Sequence, residues 1–107
     1  MTVCALTIGD KALEVAQHRA WWADITEAMS VQLLELAPVM SYLLRQDPRA
    51  EYEYWISHKD MDGVIRHRHF VIREYETGCY FENYAAPTAT SLDDFIEGAL
   101  VCKIFPE

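Results

Sequence analysis

Hydrophobic positions recur with two different periods along this chain, and the change falls near residue 47. From Val15 through Trp22, Ile25, Met29, Leu33, Leu36 and Met40 to Leu43, apolar residues are spaced by three, four or seven, the period of one helix face. Helix is therefore expected over residues 10–45, opened by Asp10. Asp24 with Glu27 three positions later has capping-box chemistry, so two helices meeting near Ala23 compete with one long helix. Pro38 lies inside this region, and its missing N–H and its clash with the preceding turn predict a kink or break over residues 34–37. A second stripe, Val31, Leu34, Pro38 and Tyr42, runs roughly opposite the first. A helix apolar on two sides is buried on two sides, by its own sheet and a helix or by a second copy or partner. Trp21 and Trp22 diverge by about 100° on a helix, so one indole belongs at the core margin, where aromatics anchor interfaces.

Beyond Asp47-Pro48 the period becomes two. Tyr52, Tyr54 and Ile56 alternate with Glu51, Glu53 and Ser57, which predicts a strand over residues 51–58. The Asp62-Gly63 turn signal then returns the chain as a second hairpin arm over residues 64–75. Gly78 turns it again into a strand over residues 79–84. After a loop at Pro87, Ser91 caps a short helix with Asp94 at the capping-box position, and residues 99–105 read as a last buried strand. At the other end, residues 2–8 are rich in β-branched types and stop at Gly9, as a short strand would. The expected fold is α+β: one or two N-terminal helices, a single one being kinked at Pro38, packed on a mainly antiparallel sheet of about four or five strands, with a short C-terminal helix.

Composition narrows this to one domain over residues 1–107. A chain of 107 residues, 51% of them hydrophobic and 24% charged, builds a core without metals or disulfides. Seventeen acidic against nine basic residues give a net charge of −8, which argues against non-specific binding to nucleic acid or to an anionic membrane. Proteins or small ligands are the expected partners. Cys4, Cys79 and Cys102 are odd in number and show no CxxC spacing, so reduced thiols are expected. No Lys or Arg precedes Lys11, and the apolar run at residues 3–8 is too short for a signal peptide or a membrane span. The expected location is the cytoplasm, of a bacterial cell or an infected host.

Candidate chemistry begins with His67 and His69, which share one strand face about 7 Å apart, a spacing that allows metal chelation. His58 and Glu53 lie within reach across the hairpin and Cys79 does not. No complete ligand set follows, so neither a metal nor another cofactor is expected. Arg66, His67, Arg68 and His69 make the mid-hairpin polar on both faces, so the tip, with Lys59, Arg66 and Arg68, is a projecting basic feature unless Glu51 and Glu53 pair with the arginines. Residues 76–107 carry six carboxylates, Glu76, Glu82, Asp93, Asp94, Glu97 and Glu107, against Lys103 alone. Such a field steers docking onto basic surfaces and imitates phosphates, as in a nucleic-acid mimic. Nucleophile elbows and phosphate loops are absent, and apolar strand cysteines are inert.

The function expected from these traits is protein binding by surface complementarity, through Glu82, Asp93, Asp94, Glu97, Trp21, Leu34, Arg66 and Arg68, with no catalytic residue. The partner would be an inhibited protein with a basic surface, and a homodimer is open. Small size, acidity and aromatics without catalytic motifs are similar in type to bacterial immunity proteins, phage-encoded inhibitors of host defence and secretion chaperones, a likeness that no residue motif carries. Two alternatives stand beside it: a small metal-dependent enzyme using His67 and His69, and a homo-oligomeric structural or chaperone subunit.

Overall fold

Thr7 and Thr26 each have extended backbone and accept on the side-chain hydroxyl a backbone hydrogen bond from three residues ahead, Asp10 N–H at 3.1 Å and Met29 N–H at 3.1 Å, and a helix follows each. The computed structural model describes residues 7–83 and 86–101. In chain order its elements are α1 (Ile8–Ala16), β1 (Trp21–Trp22), α2 (Glu27–Glu35), β2 (Tyr42–Gln46), β3 (Glu53–Lys59), β4 (Ile65–Tyr75), β5 (Gly78–Asn83), β6 (Ala86–Ala89) and α3 (Leu92–Val101). Among the described residues, six strands form one sheet in the order β1-β2-β3-β4-β5-β6. Only the β1–β2 pair in it is parallel.

Strand alternation sorts the side chains onto two faces. One face carries Leu44, Tyr54, Ile56, Phe70, Ile72 and Phe81, and is closed by Val15 of α1 and by Leu92, Phe95, Ile96 and Ala99 of α3. Phe70 is its centre, with ring centroids 5.3 Å from Tyr54 and 5.2 Å from Phe95. Lys11 is buried there beside Phe81, its ammonium donating to the carbonyl of Thr90. The opposite face is covered only in part: Leu34 of α2 packs with Ile25, Leu43 and Ile65 in a smaller cluster. The rest of that face, toward β5, has no helix over it among the described residues.

The α+β class and the mainly antiparallel sheet agree with expectation, and the long N-terminal helix does not. Residues 10–45 divide into α1, β1, α2 and β2. Thr26, not Asp24, caps α2, and the capping box sits instead at Thr7 and Asp10. Helix α2 ends at Glu35, before Pro38, and the chain runs through Met40 at a φ of 71° into β2, not on through a kinked helix. The stripe of Val31, Leu34, Pro38 and Tyr42 is thus no helical face, since Tyr42 belongs to a strand. Of the six strands, β1, β2 and β6 were not foreseen. Pro87 falls inside β6, where a missing N–H is tolerated because the strand is the last of the sheet. Ala99 to Val101 continue α3, so no strand begins there, and the rest of the expected strand at 99–105 lies outside the described residues. The strand expected at 2–8 also lies outside them, save that Thr7 is a helix cap and Ile8 is helical. Cys79 is a buried free thiol, while Cys4 and Cys102 lie outside the described residues. No helix is long and apolar enough to cross a membrane among the described residues.

Candidate functional site

The register of four strands brings Trp22, Arg45, Trp55 and His69 into one row across the partly covered face: Trp22 beside Arg45, Arg45 opposite Trp55, Trp55 opposite His69. The neighbouring row, under α2, is Leu43, Ser57 and His67. On the other side Glu53 lies opposite Val71, and the Asp47 N–H donates to the Glu53 carbonyl at 2.9 Å. The Thr26 cap sets Glu27 as the first residue of α2, so its carboxylate overhangs the junction of these rows.

Arg45 is the decisive residue, because its side chain is only 4% exposed yet carries a charge. Its Nε donates to Ser57 Oγ at 3.0 Å, its guanidinium lies 5.5 Å from the Trp55 ring, and Nη2 reaches His67 Nδ1 at 3.4 Å. The Ser57 hydroxyl therefore points its own proton to His67 Nδ1, 2.7 Å away, and leaves the imidazole proton on Nε2. That Nε2 faces Glu27 Oε2 at 3.8 Å, and Arg45 Nη2 faces Glu27 Oε1 at 3.8 Å. Burial lowers both the Arg45 and His67 pKa values from their ordinary ranges, opposed by the Glu27 charge. A buried guanidinium is normally matched by a close, fixed anion. Here the facing carboxylate sits beyond hydrogen-bond length on a side chain that is 68% exposed.

Asp47, Glu53 and His69 form the second part of the site. Their ligand-type atoms all lie within 4.8 Å of one another. Glu53 Oε1 accepts from His69 Nε2 at 2.9 Å, and the His69 ring stands edge-on to Trp55 at 5.0 Å. The Asp47 carboxylate is buried and accepts from the Trp55 indole N–H at 2.9 Å and from the Arg49 N–H at 2.8 Å, and the latter chiefly holds its pKa down. Arg49 itself is 83% exposed, with Nε 3.5 Å from Asp47. All three ligand atoms are thus already hydrogen-bonded, and an arginine flanks them, so a metal ion has to displace these contacts to bind.

The residues singled out from sequence are scattered by comparison. Arg66 Nε donates to Asp60 at 2.9 Å and Arg68 Nε to His58 at 3.3 Å, so the basic tip is engaged within its own hairpin. Glu53 pairs with His69, not with the arginines. Leu34 is 3% exposed and unavailable as a contact residue, because it is the side chain by which α2 is seated on the sheet. Of the two tryptophans it is Trp22 that is exposed, while Trp21 packs edge-on against Tyr54 at 6.0 Å. Glu82 accepts from Arg73 at 2.9 Å and from the Tyr75 hydroxyl on the partly covered face. Asp93, Asp94 and Glu97 are exposed on α3 over the other face, with Asp93 bonded to His18 at 2.8 Å. The described acidic residues of the C-terminal third therefore stand on both sides of the sheet. Sequence reasoning missed Arg45, Asp47, Trp55, Ser57 and Glu27; the signal was a lone cation in the apolar run Tyr42–Gln46.

No family model and no curated protein matches this chain.

Proposed function

We propose that this protein binds another protein by surface complementarity and reads a phosphorylated aromatic side chain of that partner on Arg45. The observation that carries this is the seat occupied by Glu27: an exposed carboxylate held 3.8 Å from a buried guanidinium and 3.8 Å from an imidazole N–H marks where an anion sits. Arginine is the side chain suited to bind a phosphoryl group through two parallel N–H donors, and phospho-motif recognition by arginine is a recurring mode of peptide binding. Arg45 is buried, and the carboxylate facing it is that of Glu27, the first residue of α2. A long, rigid phosphorylated ring would bring its phosphoryl group to Arg45 in place of the Glu27 carboxylate, with its face or edge against Trp55 and His69, whereas a short acidic side chain leaves the peptide backbone to make the approach. Arg49 and Trp22 stand at the rim, available to the flanking residues.

Inhibition of a partner with a basic surface, in the manner of immunity or anti-defence proteins, is the narrower form of this function that the net charge of −8 favours. A cytoplasmic setting suits it, since phosphorylated partners and a reduced Cys79 thiol coexist there. The test is fluorescence anisotropy with one labelled peptide sequence carrying phosphotyrosine, phosphoserine, glutamate or unmodified tyrosine. Binding near micromolar strength is expected for the phosphotyrosine form alone, with a loss of roughly tenfold or more in Arg45→Lys. Equal binding of the unmodified peptide, or an Arg45→Lys variant that binds as wild type, refutes the assignment.

A further inference from the structure

We infer that the corner where α2 meets the β3–β4 turn is a second docking surface, shaped for an amphipathic basic helix of a partner protein. Met29, Leu33 and Leu36 follow one another at helical spacing on the side of α2 away from the sheet, and all three are exposed, Leu36 to 90%. Val39 from the following loop and Met61 and Val64 from the hairpin turn are exposed as well. Hydrogen bonds fix these segments to one another. Lys59 Nζ donates to the carbonyls of Glu35 at 3.3 Å and Ala37 at 3.0 Å, and the Met40 N–H donates to the Lys59 carbonyl at 2.7 Å. With residue areas of roughly 150–200 Å² apiece, the exposed parts of these six residues add up to about 600 Å², comparable with the largest apolar patches of monomers.

Two features identify the occupant. Met40 and Met61 are exposed at this end and Met29 in the first turn of α2, and unbranched thioether side chains make a surface that moulds itself to apolar helices. The charge around the patch leans negative: Asp60 and Arg66 pair with each other, and Glu35 and Asp62 are exposed beside it against the Lys59 ammonium, which is fixed on the Glu35 and Ala37 carbonyls. In a chain of net charge −8 this favours Lys and Arg flanking the incoming apolar stripe. An amphipathic basic helix meets both demands. A second copy meets neither, because it repeats the negative charge, and two such patches together reach only the low end of the roughly 1,200–2,000 Å² of a stable interface.

The surface is independent of Arg45, and its test keeps the two apart. The full chain is titrated into a fluorescein-labelled 18-residue helix of leucine and lysine at helical period, and into a scrambled peptide of equal composition. Micromolar binding is expected for the amphipathic peptide and at least roughly tenfold weaker binding for the scramble. The Leu36→Glu/Met61→Glu double variant is expected to lose at least roughly tenfold for the amphipathic peptide. Its circular dichroism and its response to the phosphotyrosine peptide should be unchanged, since both side chains are exposed. Equal binding of the scramble, or full binding by the double variant, overturns the inference. So does sedimentation velocity that finds a dimer of the wild type dispersed by the same substitutions, which assigns the patch to a second copy.

Discussion

Replacing Glu27 by glutamine removes the carboxylate from the seat above Arg45 and keeps its shape. The structure sets the size of the effect. Two unit charges 3.8 Å apart interact by about 4 kcal/mol at an effective dielectric of 20. Glu27 is mostly solvated, so the net worth of its pairing falls to the range of exposed ion pairs, about 0.2–1 kcal/mol. Loss of a carboxylate from the first turn of α2 costs about 0.3–1 kcal/mol more through the helix dipole. The two losses together, about 0.5–2 kcal/mol, should lower the melting temperature by roughly 2–16 °C, at roughly 4–8 °C per kcal/mol for a chain of this length. Anion binding should move the other way. In the wild type an incoming phosphoryl group has to displace the Glu27 carboxylate or tolerate its repulsion, and glutamine relieves both. Phenyl phosphate, followed by the quenching of Trp55 and its neighbours, is expected to bind roughly five- to tenfold more tightly to Glu27→Gln, about 1–1.4 kcal/mol. The gain should shrink in 1 M salt, where the Debye length is about 3 Å. Unchanged or weakened binding in the variant would mean that Glu27 does not occupy the ligand's place, and the assignment of the site would fall with it.

Three further outcomes are expected. Zinc should bind Asp47, Glu53 and His69 no more tightly than about 0.1 mM, because each ligand atom already has a hydrogen-bond partner; a tight one-to-one site abolished by His69→Ala contradicts this. Leu44→Ala, at a fully buried position opposite Ile56 in the core, should destabilise by about 2–5 kcal/mol in urea unfolding, and a loss below about 1 kcal/mol shows a core that collapses around the gap. His58 is held neutral, burial and then the Arg68 charge pushing its pKa down to about 4 from 6.5. Below pH 6.5 the unfolded chain takes up a proton that the native state refuses, so this stability is complete above 6.5 and is lost progressively as pH falls toward 4, at most about 3 kcal/mol. Stability curves for His58→Gln should be flatter across that window, and a parallel curve refutes the cause.

Legibility from the sequence followed the kind of information each element carries. Strands β3, β4 and β5 announce themselves through aromatic and β-branched residues bounded by turn signals, and the Asp60 side chain and Gly63, at a φ of 83°, make the turn that the Asp-Gly signal promised. The stretch of residues 17–46 misled for a physical reason. Leu43 and Leu44 are each buried, on opposite faces of the sheet, so β2 is a short apolar run whose residues happen to extend the helical spacing of Leu33, Leu36 and Met40. Periodicity cannot separate those cases. The exposed stripe of α2 compounds the error, since the residues that look most like a helix core, Met29, Leu33 and Leu36, face away from the sheet. Strand β1 has only two residues and exists through its pairing with β2.

The site was half visible for a related reason. His67, His69 and Glu53 stand out as residue types in one hairpin, and Glu53 does reach His69. What joins them to Arg45, Asp47 and Trp55 is register across three strands, which a linear pattern does not encode. One clue was nevertheless local. An arginine inside a short run of large apolar residues either snorkels to water from an edge or is buried with a purpose. Strand β2 pairs on both sides, so Arg45 cannot escape at an edge, and its charge stays beneath Trp55 and α2, answered by the exposed Glu27 carboxylate and, more weakly, by that of buried Asp47. Desolvating that charge disfavours the fold by several kcal/mol per ion unless something compensates. Ser57, His67 and the Trp55 ring supply neutral partners, and the remaining deficit is what an external phosphoryl group would satisfy. On this account Arg45→Met should leave a fold at least as stable as wild type while abolishing anion binding, the separation of stability from function expected when a buried cation serves a ligand.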